Sequence, residues 1–190
     1  MEKYTIRYNG ERDNMSDNLK EWIKDILWAV LIAFLVLQFI MPTVVKESSM
    51  ENTLVENDYL IVSKKAYTIF GECERGDIIV FQSSIPLAGT NTNKLLVKRI
   101  IAVGGDTIKI SNGSVYLNGE ELVEDYIKDG TTNGNIAEIT IPEGYLFCMG
   151  DNRLVSRDSR DETVGFVNVN DVKGKVVFRL YPFNKIGTIK

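Results

Sequence analysis

The chain contains no histidine, and only two cysteines and four prolines among 190 residues. The missing histidine excludes the most. No Ser-His-Asp or Cys-His hydrolase can be built here, and no zinc site that uses imidazole. A nucleophilic hydrolase on this chain must find another base, and lysine is the usual substitute. Cys73 and Cys148 stand too far apart for a metal or redox spacing. They read as two small buried or half-buried apolar side chains, with a disulfide left open for an oxidising compartment. No metal and no other cofactor is expected. A net charge of −4 gives no reason to expect nucleic acid as a partner.

What the chain does have is one long apolar run inside an otherwise globular composition. The length allows one ordinary domain with a small inserted lobe at most. Residues 1–25 are polar and mixed in charge, turning amphipathic near Leu19, Trp22 and Ile23. Between Asp25 and Lys46 lie 20 uncharged residues, and from Ile26 to Met41 the only polar side chain is Gln38. Twenty helical residues rise about 30 Å, the thickness of a hydrocarbon core. Trp22 and Trp28 suit an interfacial position, and Pro42 an exit point. A cleavable signal peptide fits poorly, because the leader is long and partly acidic and no small-x-small site follows. A buried helix of a soluble core fits poorly too, because the run has no polar face. The segment 26–45 therefore reads as a transmembrane anchor in the lipid bilayer. The leader carries five Lys/Arg, with Lys20 and Lys24 beside the helix. Lys46, Lys64 and Lys65 lie beyond it, so the charge bias leans only weakly toward a cytoplasmic N-terminus.

From residue 46 to 190 the pattern turns to strands. Tyr59–Val62, Asp77–Phe81, Leu95–Val103, Thr107–Ser111, Val115–Leu117, Glu138–Ile141, Tyr145–Met149 and Val172–Leu180 are short and rich in β-branched or aromatic residues. Asn112-Gly113 and Asn118-Gly119 are hairpin turn signals on either side of Val115–Leu117. No later segment has a convincing helical period, so the fold class is mainly β, preceded by one helix. Lys128–Ala137 is polar and rich in Gly and Asn, which predicts a mobile loop.

Three clusters could carry chemistry. The first is Ser48-Ser49-Met50-Glu51-Asn52-Thr53-Leu54, close behind the anchor. A serine there is usually a cap or a solvated turn and gains meaning only with a partner. The second is Leu95-Leu96-Val97-Lys98-Arg99-Ile100-Ile101. Strand alternation points Lys98 and Arg99 to opposite faces, so one of two adjacent cations meets an apolar interior. An edge charge or a snorkelling lysine is the ordinary explanation. Burial also disfavours the ammonium, however, and a neutral amine beside a serine hydroxyl is a general base. The third is Gly150-Asp151-Asn152-Arg153-Leu154-Val155-Ser156-Arg157-Asp158-Ser159-Arg160, dense in polar turn-formers directly after an apolar strand. Such loops are solvated or build sites.

In this order behind an anchor, the three clusters resemble the bacterial type I signal peptidases. Arg75-Gly76-Asp77-Ile78-Ile79-Val80-Phe81 and the closing Gly174…Arg179-Leu180-Tyr181-Pro182…Gly187 extend the resemblance over about Trp22 to Ile189. It implies a β catalytic core with a smaller β lobe inserted near 105–143, facing away from the cytoplasm. It implies Ser49 as nucleophile and Lys98 as general base. By the same resemblance Ser156 orients the lysine amine, Asp158 and Arg160 form a supporting ion pair, and Asp151 and Arg153 are scaffold. The implied substrates are preproteins bearing signal peptides, cut after a small-x-small (Ala-x-Ala-like) site. Two positions depart from the pattern. Asn52 stands where a proline is expected, which loosens the turn by about 0.5–1 kcal/mol. Glu47 stands where some members place a serine that donates to the oxyanion, and a carboxylate cannot donate. Two other readings stay open: a self-cleaving Ser/Lys peptidase of the SOS-repressor type, and an inactive membrane-tethered β scaffold.

Overall fold

The computed structural model describes residues 11–69 and 71–189, with side chains from Asp17 onward. The first ten residues of the polar leader lie outside the described residues. From Glu11 the chain is helical, and α1 runs over Glu11–Phe39. Within it Asp17–Phe39 is 23 residues long with a mean hydropathy of 1.9. At about 34 Å it is long and apolar enough to cross a bilayer. Its large apolar side chains, Leu27, Trp28 and Phe34 among them, are all exposed within the chain.

The helix stops short of the anchor boundary expected at residue 45. Ile40–Val44 is instead strand β1. Pro42 explains the stop. It lacks an N–H, its ring clashes with the preceding turn, and it drives the residue before it toward extended backbone. A proline is tolerated in β1 because that strand pairs on one side only, antiparallel to β2 (Tyr59–Ser63), at the end of its sheet.

Residues 40–190 form one compact unit with two sheets. The further large-sheet strands are β3 (Ile78–Pro86), β4 (Asn93–Val103), β9 (Tyr145–Met149), β10 (Val167–Asn168), β11 (Val172–Tyr181) and β12 (Gly187–Thr188). Their order is β1-β2-β11-β3-β4-β9-β10, with β12 on β11. The small sheet holds β5 (Thr107–Ser111), β6 (Ser114–Leu117), β7 (Glu120–Glu121) and β8 (Ile136–Thr140), in the order β7-β6-β5-β8. It is entered from β4 and left toward β9, neighbours in the large sheet, so it is an excursion between two paired strands. Asn112, Gly113, Asn118 and Gly119 all have positive φ, the backbone that tight two-residue hairpin turns require.

The central strands are buried on both faces. On β3, Ile78 and Val80 join a cluster with Met50, Leu54 and Val62, while Ile79 and Phe81 join another with Leu96, Ile100 and Cys148. A third cluster, around Ile108, Ile110, Val115 and Phe147, ties the small sheet to the large one. The same alternation on β4 sends Leu96, Lys98 and Ile100 one way and Val97 and Arg99 the other. Both cations are buried, at 1% and 3% exposure, where alternation alone required only one.

Candidate active site

Ser49 lies in a short 3-10 turn, Ser48–Met50, between β1 and β2. Met50 and Leu54 anchor this turn in the core. Asn152 fastens it from outside. Its backbone N–H donates to the Ser49 carbonyl at 3.1 Å, and its side-chain amide donates to the Ser48 carbonyl at 3.1 Å. The turn is thereby held against β4. Lys98 Nζ stands 2.5 Å from Ser49 Oγ.

Burial dominates the electrostatics of Lys98 and pushes its pKa below the ordinary lysine value. The charges of Asp158 and Glu47 oppose that push, and Arg160 adds to it. With the amine neutral, the same contact runs from the serine O–H to the nitrogen lone pair, the geometry of a general base on a nucleophile.

The Gly150–Arg160 loop is fixed by three buried ion pairs. Asp151 takes two bonds from Arg99, from Nε at 2.9 Å and from Nη2 at 2.8 Å, and a third from Thr53 Oγ1 at 2.5 Å. Arg160 grips Asp158 through Nε and Nη2, both at 2.8 Å. Burial would raise the Asp158 carboxyl, but Arg160 and the Gly150 N–H outweigh it and hold the group below the usual range. Arg153 donates to the Gly150 carbonyl at 3.0 Å and pairs with Glu124. Asp151, Arg153, Asp158 and Arg160 thus all brace one loop. Ser156 is less directly placed. Its Oγ is buried and makes no hydrogen bond of normal geometry among the described residues, although it is near enough to Asp158 to help hold that carboxyl low. No bond joins it to Lys98 in this structure.

Gly150 explains how these parts come so close. A Cβ there would lie 2.3 Å from the Ser49 carbonyl and 2.3 Å from Ser156 Oγ. Only glycine lets the 150–160 loop touch the serine turn.

The sequence pattern did not reveal Asn152, Thr53, Glu124 or Tyr126. The Tyr126 ring lies under the Arg99 guanidinium at 4.1 Å. The segment expected to be a mobile loop is tied to the site as well. Thr132 is buried against Arg153, and the Asn133 carbonyl accepts from Arg160 at 3.2 Å. Ile136 and Ala137 already belong to β8. The two cysteines are free thiols, Cys73 half-buried and Cys148 buried. Burial and then Asp77 push Cys73 up to about 11, and burial raises Cys148 well above an ordinary thiol. Neither is poised as a nucleophile.

Glu47 makes an exposed ion pair with Lys94 at 3.7 Å. Both line a groove of about 790 Å³ that runs from Met41 and Pro42 past Ser49 to Leu95–Val97. Along this groove β4 has an open edge. It pairs with β3 on one side, but β9 joins its other side only from Arg99 onward. No group of side chains that could hold a metal ion occurs among the described residues.

Comparison with known proteins finds relatives along most of the chain. The family model for signal peptidase, peptidase S26, matches residues 19–181. Signal peptidase I of Bacillus licheniformis is 34% identical over 183 residues, covering 91% of this chain and 94% of that one. Signal peptidase IB of Staphylococcus aureus (strain Mu50) is 34% identical over 189 residues, covering 90% and 94%. A crystal structure of a signal peptidase I from Enterococcus faecalis V583 aligns with a TM-score of 0.45 at 30% identity, covering 55% of this chain and 96% of that one. A family model that matches residues 19–181 and relatives 34% identical over about nine-tenths of the chain place it in the signal peptidase family, peptidase S26.

Proposed function

We propose that the chain is a membrane-anchored serine endopeptidase that removes signal peptides from exported preproteins, with Ser49 as nucleophile and Lys98 as general base. One observation carries the reading: a lysine amine 2.5 Å from a serine hydroxyl, on a side chain that is 1% exposed. An ordinary lysine, with a pKa of about 10.4, already holds its proton at neutral pH and cannot take another, whereas a desolvated one can.

The preprotein's cleavage segment adds as an extended strand along the open edge of β4, in the groove beside Ser49. The lining of the groove is mostly apolar, Val44, Val45, Leu95 and Leu96 among it, and the cleavage site it takes is a small-x-small one. Ser49 Oγ attacks the scissile carbonyl as its proton passes to Lys98 Nζ. The Ser49 backbone N–H stabilises the oxyanion. The ammonium then protonates the leaving amine, which frees the mature protein and leaves the signal peptide as an ester on Ser49. Lys98, neutral again, deprotonates a water that hydrolyses the ester. Asp151, Arg153, Asp158 and Arg160 brace the loop behind the dyad, and the role of orienting the amine falls to Ser156. Asp17–Phe39 crosses the bilayer with the N-terminus cytoplasmic and the β unit outside. Tethering raises the effective concentration of substrates held in the same membrane.

The test is to reconstitute the full chain in lipid vesicles, add a preprotein with a signal peptide, and sequence the new N-terminus of the product. Cleavage directly after a small-x-small site, absent with Ser49→Ala, is the expected result. Cleavage elsewhere, or cleavage that survives Ser49→Ala, would overturn the reading.

A further inference from the structure

The turn that follows Ser49 has an unusual backbone. Asn52 has φ +97°. A proline ring locks φ near about −65°, so the residue expected at this position from the family pattern cannot take the conformation seen here. Asparagine is among the few side chains that enter the positive-φ region readily. The turn therefore has a conformation of its own, and a different restraint must hold it.

That restraint comes from the inserted lobe. The Asn52 side-chain amide donates to the Tyr126 carbonyl at 3.0 Å. One residue earlier, Glu51 accepts from Lys128 Nζ at 2.6 Å. Lys128 also donates its backbone N–H to the Asp151 carbonyl at 3.0 Å. Tyr126 stacks under Arg99, which holds the Asp151 carboxylate. One short segment, residues 126–128, thus touches the serine turn, the 150–160 loop and the strand that bears Lys98.

We propose that Asn52 is a positioning residue for Ser49, and that its positive-φ turn together with its bond to Tyr126 replaces a local proline restraint with a clasp from the inserted lobe. The inference rests on Ser49 being the nucleophile. Asn52 itself touches neither the reacting atoms nor the groove. Through the backbone bonds from Glu51 N–H to Ser48 and from Thr53 and Leu54 N–H to Met50, its conformation sets where Ser49 sits relative to Lys98.

The experiment uses the full chain in detergent micelles, as wild type, Asn52→Gly and Asn52→Pro. It reads kcat and KM on a signal-peptide substrate, thermal melting, and amide hydrogen exchange of residues 51–54. Asn52→Gly keeps the backbone conformation and loses only the bond. Its kcat should fall about threefold to tenfold with KM unchanged, and the turn amides should exchange faster. Asn52→Pro cannot keep the turn and should lose about 10²-fold in kcat, the scale of a 1 Å misplacement at a reacting centre. A merely structural role would lower the melting temperature and leave kcat intact below it, and that result overturns the proposal. So does an Asn52→Pro enzyme with wild-type kcat. If the wild type itself fails to cleave, the peptidase reading has failed, and exchange still decides the clasp. Faster exchange in Asn52→Gly supports it and unchanged exchange rejects it.

Discussion

Replacing Gly150 with alanine should disable the site without unfolding the protein. The added Cβ would meet a backbone atom, the Ser49 carbonyl, at 2.3 Å, and Ser156 Cβ at 2.6 Å. Ordinary contact needs roughly 3.4 Å between such atoms, so one side must retreat by about 1 Å. Ser156 can turn its hydroxyl away, but its Cβ cannot move without the loop, which Arg160 holds through Asp158. The Ser49 carbonyl is held by the Asn152 N–H. The displacement falls on the serine turn, and the Ser49–Lys98 contact is already at 2.5 Å. A shift of about 1 Å at reacting groups costs about 10²-fold, or roughly 2.7 kcal/mol in the barrier. Overpacking should also lower stability by about 1–3 kcal/mol. Steady-state kcat and KM well below the melting temperature separate the two effects. Gly119→Ala is the control for adding a Cβ away from the site, since Gly119, which unlike Gly150 has positive φ, leaves open space for one. It should cost about 1 kcal/mol of stability and no activity. A Gly150→Ala enzyme with kcat within threefold of wild type would refute the packing logic.

Further outcomes follow from the charges. Because burial lowers the Lys98 pKa, kcat/KM should rise with pH along a single limb, with its midpoint below that of an ordinary lysine. Stability should rise with pH over the range between the folded pKa and the unfolded value, because there the unfolded chain binds the extra proton. Lys98→Met should flatten that slope and raise the neutral-pH melting temperature while abolishing cleavage. A pH-independent rate would count against Lys98 as the base. Asp151→Ala strands the buried Arg99 guanidinium without its carboxylate. Unfolding by denaturant should show a loss of about 3–5 kcal/mol, and a loss under 1 kcal/mol would contradict the buried pair. Glu47→Ser removes an exposed ion pair with Lys94 and a charge that opposes the fall of the Lys98 pKa, and stability should change by less than about 1 kcal/mol. A hydroxyl in place of the carboxylate should raise kcat by about tenfold if it reaches the oxyanion. Unchanged kcat would mean that position 47 does not face the reacting carbonyl.

The strand pattern was legible wherever side chains alternate or form a continuous apolar run. Thr107–Ser111 and Tyr145–Met149 have the bounds their residues suggest. β1 was hidden because Ile40–Val44 continues the apolar composition of the helix, and composition alone does not show where helix gives way to strand. β7, β10 and β12 are two residues each, too short to carry a period. In the site, adjacent cations in an apolar strand marked Lys98 and Arg99, because a buried charge is costly and therefore conspicuous. Asn152, Thr53 and Tyr126 act through hydrogen bonds or a ring face, and those depend on which loops meet in space. Their residue types occur in any solvated turn. The proline expected at position 52 raised a question of turn entropy alone, whereas the positive φ there exposed a different turn.

The dyad is tested most directly by measuring cleavage of an Ala-x-Ala signal-peptide substrate in detergent micelles by the wild type, Ser49→Ala, Lys98→Ala and Lys98→Arg, each checked for folding by thermal melting. The Ser/Lys assignment predicts that all three variants stay folded and lose at least about 10³-fold in kcat, Lys98→Arg included, because a guanidinium cannot give up its proton. Substantial cleavage by either folded Lys98 variant would place the base elsewhere, and cleavage by Ser49→Ala would remove the nucleophile.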